Sequence, residues 1–136
     1  MKRFPKNIFR RLGTGAALTL CFCLFGCATG PAPTPTVTRV VLVWMKHPER
    51  SADRAQVIRA ARSLRMIPGV MRVEAGRRVP ALASGTDRSF DLGVVITFRD
   101  RAALRRYEKD PRHLEAMRRY LRPLVRRYEV FNLSDR

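Results

Sequence analysis

The sequence predicts an α+β domain over residues 37–136, a four-stranded, largely antiparallel sheet with its helices on one face. Three observations predict it. Runs rich in β-branched residues and segments of helical periodicity follow one another in the order βαββααβ. Turn-forming pairs such as Pro68-Gly69 and Ser84-Gly85 fall between those runs and not inside them. The first strand-like run is apolar on both of its sides, which a small sheet covered by helices on one face does not explain by itself.

Val37 to Lys46 (VTRVVLVWMK) is β-branched and free of turn residues, so it reads as a strand. Val41, Val43 and Met45 lie on one side, and Val40, Leu42 and Trp44 on the other. A helix follows to about Met66, with Ser51 or Asp53 as its cap and Val57, Ile58, Ala61 and Leu64 on one face. Pro68-Gly69 ends it. Val70 to Val79 is the second strand, with Met71, Val73 and Ala75 on one side, and Pro80 to Arg88 is a loop. Ser89 to Arg99 is the clearest strand, because Phe90, Leu92, Val94, Ile96 and Phe98 alternate with smaller or polar residues. Asp100 caps a helix through Lys109, and Asp110-Pro111 opens another, with Asp at the cap and Pro in the first turn. Leu114, Met117, Leu121, Leu124 and Val125 are its expected apolar stripe, and Pro123 is expected to bend or tighten its last turns. Tyr128 to Leu133 is the last strand. The second apolar face of the first strand is best covered by another copy of the chain, packed sheet against sheet as a homodimer.

Residues 1–26 read as an address. Lys2, Arg3, Lys6, Arg10 and Arg11 precede an apolar run from Leu12 to Gly26, which is shorter than the roughly 20 residues of a spanning helix and has the pattern of a secretory signal. The run ends Leu24-Phe25-Gly26-Cys27, which resembles the lipobox of bacterial lipoproteins. That resemblance implies acylation at Cys27 and cleavage before it, and Ala28 in the next position implies the outer membrane on its periplasmic side. Multiple acyl chains make such attachment effectively permanent. Residues 27–36 follow as a Pro/Thr-rich tether, with Pro31, Pro33 and Pro35 favouring an extended polyproline conformation.

The whole chain of 136 residues carries a formal charge of +17, and loss of residues 1–26 leaves +12. The Arg-rich helices suit a solvated surface or anionic envelope material, and nucleic acid is not an expected partner of an exported domain. Cys21, Cys23 and Cys27 all precede the domain, which excludes a disulfide framework or a Cys-based zinc site within it. The two histidines, His47 and His113, are too few for an all-His metal site. No Walker loop, dinucleotide fingerprint, HExxH or Ser/His/Asp constellation is present.

The domain is similar to the stress-responsive A/B barrel family. The residues that carry the resemblance are VVLVWMK, the IPGV turn at Ile67 to Val70, Glu74-x-Gly76, Phe90-Asp91, Phe98-x-Asp100 with Ala103-Leu104-x-x-Tyr107, Asp110-Pro111-x-His113, and Leu121-Arg122-Pro123-Leu124. The resemblance implies a ferredoxin-like subunit in a dimeric α/β barrel, with no cofactor and no metal. A plant branch of the family cyclises polyketides with a His on the first strand and the His of the Pro-x-His helix start. His113 matches the second of these, whereas Arg39 stands where the first would be, and an Arg stays protonated and is no base.

The resemblance therefore makes His113 and Tyr107 the candidate catalytic pair, with His113 as a general base at a pocket between helix and sheet. The helix end is expected to keep its imidazole neutral. The plainer alternatives are a His bonded to a nearby carbonyl and a core Tyr. Arg39, Asp91 and Trp44 are candidate ligand contacts. Asp91 suits a partner Arg across the dimer better, and Trp44 an interface anchor before a stacking platform. The expected function is a lipid-anchored envelope protein whose dimeric barrel is a non-catalytic small-ligand binding or stress-related module, a small apolar or anionic molecule being the expected kind of ligand. The alternative is a cofactor-independent, cyclase-like acid/base enzyme using His113.

Overall fold

The computed structural model describes residues 35–80 and 84–134. The expected signal segment 1–26, Cys27 and nearly all of the tether lie outside the described residues. Residues 32–136 form a compact unit of their own. The buried apolar side chains described within it pack into clusters inside that unit, so it has what it needs to fold by itself.

The four strands are β1 (Val37–Met45), β2 (Val70–Arg77), β3 (Leu92–Phe98) and β4 (Val125–Ser134), arranged β2-β3-β1-β4 with every neighbouring pair antiparallel. The helices are α1 (Ser51–Ser63), continued by a 3₁₀ turn at Leu64–Met66, α2 (Arg101–Lys109) and α3 (Pro111–Ala116). They lie on one face of the sheet. This is the ferredoxin-like α+β fold that the sequence predicts.

Strand alternation decides what the helices cover. Val37, Val43 and Met45 of β1 and Leu92, Val94, Ile96 and Phe98 of β3 are buried on the helix side, joined by Val57, Ala61, Leu64, Ala103 and Tyr107 from the helical layer. On the opposite face, Val40 pairs with Phe131 and Thr38 with Leu133, and these two β4 side chains remain 47% and 57% exposed. Directly paired residues share a face. The second apolar side expected for the first strand is therefore present.

Several local expectations change. Arg50, not Ser51 or Asp53, occupies the cap position of α1 and gives no side-chain cap; Asp53 sits in the first turn, where its charge favours the helix dipole. Asp100 and Asp110 do cap, accepting from the N–H groups of Ala103 and Arg112 at 2.6 and 2.8 Å. The register between β2 and β3 slips between Val70 and Arg72, so Met71 is exposed instead of sharing a side with Val73 and Ala75. Strand β2 stops at Arg77, short of Val79. Ser89 to Asp91 do not belong to β3. Instead, the Asp91 N–H donates to the Val43 carbonyl at 2.9 Å and its carboxylate accepts from the Met45 N–H at 2.8 Å.

After α3 the helix widens into a π turn at Met117–Leu121 and closes with Arg122–Leu124. Pro123 lacks an N–H and its ring needs clearance from the carbonyl four residues earlier, which a widened turn supplies; the last turns loosen and do not tighten. One extra residue in a turn rotates the later side chains by about 100° around the axis. A single stripe from Leu114 to Val125 cannot survive that rotation. Leu114 is accordingly exposed, Met117, Leu121 and Leu124 are partly buried, and Val125 is already the first residue of β4. β4 begins three residues before the expected Tyr128 because β1 offers it a partner along its whole length.

Gly69 has φ 90°, and a Cβ there would lie 2.6 Å from Ala103 Cβ. Gly85 has φ 83° with nothing within 4 Å of the same added atom. Gly85→Ala should thus cost only the left-handed backbone penalty of about 1–2 kcal/mol. Gly69→Ala should add an overpacking cost and reach about 2–4 kcal/mol. Urea unfolding of both variants checks this, and equal midpoints would show that the approach to Ala103 costs nothing.

Candidate functional site

Between the helix face of the sheet and α1, α2 and α3 lies a cavity of about 510 Å³. Most of its wall is aliphatic, including Val41, Val43, Val57, Leu64, Ile96 and Leu121. Its polar lining includes Arg39, Tyr107, Glu108 and His113, which are linked by successive pairwise contacts where β1, the last turn of α2 and the start of α3 meet.

Arg39 sits on the core-facing side of β1 and is 8% exposed. Its Nε donates to Asn132 Oδ1 at 2.9 Å from β4, and Nη2 donates to Glu108 Oε1 at 2.6 Å. The two halves of that ion pair differ in setting, since the Arg39 side chain is 10% exposed and that of Glu108 47%. A permanent cation on a buried strand face needs such partners.

Tyr107 is carried inward by the buried face of α2, where Ala103 precedes it by one turn. Its ring meets Phe98 edge-on at 4.9 Å and lies 4.4 Å from the His113 ring, with the Arg39 guanidinium 5.9 Å from its centre. Burial pushes its pKa up to about 12, against the pull of Arg39, so the phenol stays a donor at any physiological pH.

His113 Nδ1 stands 3.3 Å from the carbonyl oxygen of Glu108. A carbonyl only accepts, so Nδ1 carries the proton and Nε2 holds a lone pair. Burial lowers the pKa of this imidazole below the ordinary 6.5; the Glu108 bond works the other way and the Arg39 charge adds to the lowering. Burial is the leading cause of that lowering.

Of the five residues singled out in the sequence, His113, Tyr107 and Arg39 come together in the cavity. Asp91 does not line it, because its carboxylate and N–H are both spent on the end of β1. Trp44 projects from the other side of β1, buried beneath the Arg127 guanidinium at 3.9 Å from its ring centre. Glu108 and Asn132 escaped sequence reasoning. The one signal for them is Arg39 itself, whose place on an apolar strand face demands a carboxylate from elsewhere in the fold. Among the described residues, no three His, Cys, Asp or Glu side chains gather as a metal site.

The sequence profile of the stress-responsive A/B barrel domain matches residues 37–135. No curated protein matches the chain. Among solved structures, a ferredoxin-like protein of the same family from Mesorhizobium loti is 24% identical with a TM-score of 0.62, over 74% of this chain and 96% of that one. A dimeric ferredoxin-like protein of unknown function from Thermobifida fusca is 20% identical at TM-score 0.62, over 74% and 92%. A cofactor-independent oxygenase from Streptomyces nogalater is 23% identical at TM-score 0.57, over 76% and 95%. At these identities the likeness is one of fold. The profile match spans the whole folded unit, and the chain belongs to the stress-responsive A/B barrel domain family.

Proposed function

We propose that this chain is a lipid-anchored, dimeric binding protein whose helix–sheet cavity holds a small, largely apolar molecule. The observation that carries the reading is the cavity itself, about 510 Å³ of mostly aliphatic wall with Arg39, Tyr107, Glu108 and His113 grouped together on it. Cavities of this size and lining hold small ligands, with the few polar groups setting orientation. Dimerisation is supported by Phe131 and Leu133 on the open sheet face and by the dimeric relative from Thermobifida fusca. Anchoring at Cys27 rests on the lipobox-like Leu24-Phe25-Gly26-Cys27 and places the domain in the bacterial envelope, with the outer membrane favoured.

A second reading is supported by one observation, the His113 imidazole held by Nδ1 on the Glu108 carbonyl and packed against the Tyr107 ring, which the Arg39 guanidinium also approaches. In that reading Nε2 removes a proton from the bound molecule, while Arg39 and the Tyr107 hydroxyl stabilise the oxyanion that results. The relative that is a cofactor-independent oxygenase shows that the fold accommodates chemistry without a cofactor. Loss of the base in His113→Gln should then cost about 10²–10⁴-fold in rate. Under the binding reading the same variant abolishes no reaction.

Three measurements bear on these readings. Residues 32–136 should run as a dimer by native mass spectrometry, and Phe131→Glu should give a folded monomer; a wild-type monomer would overturn the sheet-to-sheet packing. Metabolic labelling with palmitate should mark the full chain and not Cys27→Ala. His113 should titrate below 6.5 by NMR. Because the unfolded chain then binds the extra proton more readily, its stabilising contribution is complete above 6.5 and fades as pH falls towards the lower folded value. His113→Gln should therefore lose that acid-side slope, and an unchanged slope would show that His113 is not the group responsible.

A further inference from the structure

Resting on the cavity-binding reading, we infer that the ligand is an amphipathic monocarboxylate whose head displaces Glu108 from Arg39 and whose tail runs along β1. The guanidinium dictates the head. It donates through Nε to Asn132 and through Nη2 to Glu108. Among the described residues no buried side-chain donor is left both sealed and unpartnered. Nη1 makes neither of those bonds, so Arg39 keeps donors to offer a group that enters the cavity it lines.

Glu108 holds this fork by one oxygen only, and its side chain is nearly half exposed while Arg39 is nine-tenths buried. The two partners thus differ in what leaving costs them. Glu108 turns out into water cheaply, as exposed carboxylates do. Arg39 cannot follow, and without a counter-charge it would be a buried, unpaired cation. An incoming group must therefore bring a negative charge of its own. A carboxylate seated across Nη1 and Nη2 makes the paired, bidentate contact that Glu108 does not make. A neutral head of the same size leaves the exchange unbalanced.

The strand register dictates the tail. Val43 lies four residues along β1 from Arg39, roughly 13 Å at strand rise, and every second side chain between them faces the cavity. Val41, Val57 and Leu121 wall that length with no charged group among them. The shape asked for is one anionic head and one extended apolar chain, the chemistry of a medium-length fatty acid.

Decanoate and decan-1-ol titrated calorimetrically into residues 32–136 test this, since they share a tail and differ in the head. Decanoate is expected to bind about tenfold or more tightly than the alcohol. Glu108→Gln, a change at an exposed side chain, should tighten decanoate several-fold by freeing Nη2, and Arg39→Met should erase the preference for the acid while leaving the alcohol bound. Equal binding of acid and alcohol, with Glu108→Gln without effect, would overturn the carboxylate seat and leave the cavity a binding site. Failure of both compounds to bind wild type and Glu108→Gln alike would overturn the binding reading and this inference together. Should Arg39→Met not fold, the opposite-signed response of Glu108→Gln still decides.

Discussion

A permanent positive charge on the core side of the central strand is the constraint around which this domain is arranged. Arg39 occupies a position that its neighbours Val37, Val41 and Val43 would lead one to fill with an aliphatic side chain. Its guanidinium does not give up its proton, so the fold answers with geometry: a carboxylate from the last turn of α2, an amide from β4 and the face of Tyr107. Those three come from distant parts of the chain. Bringing them together fixes where α2 ends and how far β4 must run alongside β1. The polar end of the cavity is the result of that requirement.

The opposite wall owes its shape to the break in the last helix. Pro123 obliges the preceding turn to widen, and the widening separates the faces of α3 and of the segment after it. Met117, Tyr120 and Leu121 line the space while Leu114 turns to solvent. An uninterrupted helix with a single apolar stripe would have laid its side chains evenly on the sheet and filled more of the gap. The cavity thus arises from two local irregularities, a charge where an aliphatic belongs and a π turn where an α turn belongs. Both are visible as residues, Arg39 and Pro123, though only one is legible in its consequence.

Much of the architecture was readable because strand alternation and capping are local. Leu92, Val94, Ile96 and Phe98 announce both a strand and its buried side, and Asp100 and Asp110 announce the helices they cap. Strand ends were less readable, since pairing sets them: β4 begins at Val125 because β1 reaches that far, and Met71 leaves the alternation at a slip of register. At the site, the resemblance to the family pointed to His113 and Tyr107, and Arg39 stood out as an anomaly on its strand. Glu108 and Asn132 were invisible, because an exposed-looking Glu on an Arg-rich helix has no local mark of a partner far away in sequence. Asp91, expected on the polar face of its strand as a ligand or partner-Arg contact, lies just before β3, and its carboxylate accepts from the Met45 N–H, as a carboxylate at a strand end readily does.

The same arrangement weighs on the choice between binding and turnover. A titratable imidazole and a permanent cation, His113 and Arg39, both flank one phenol. What distinguishes this site from a pair of imidazoles is that only one of its two basic-looking residues can change protonation near neutral pH. A reaction here must be one in which a single group takes the proton and returns it, while Arg39 supplies charge and never shuttles. That narrows any chemistry to proton removal beside an oxygen held by the guanidinium. Where the oxygen so held is already a carboxylate, as the Glu108-for-ligand exchange requires, charge stabilisation is complete in the ground state and gains nothing further in a transition state. An Arg39 that gripped an existing charge on its ligand would favour retention over reaction.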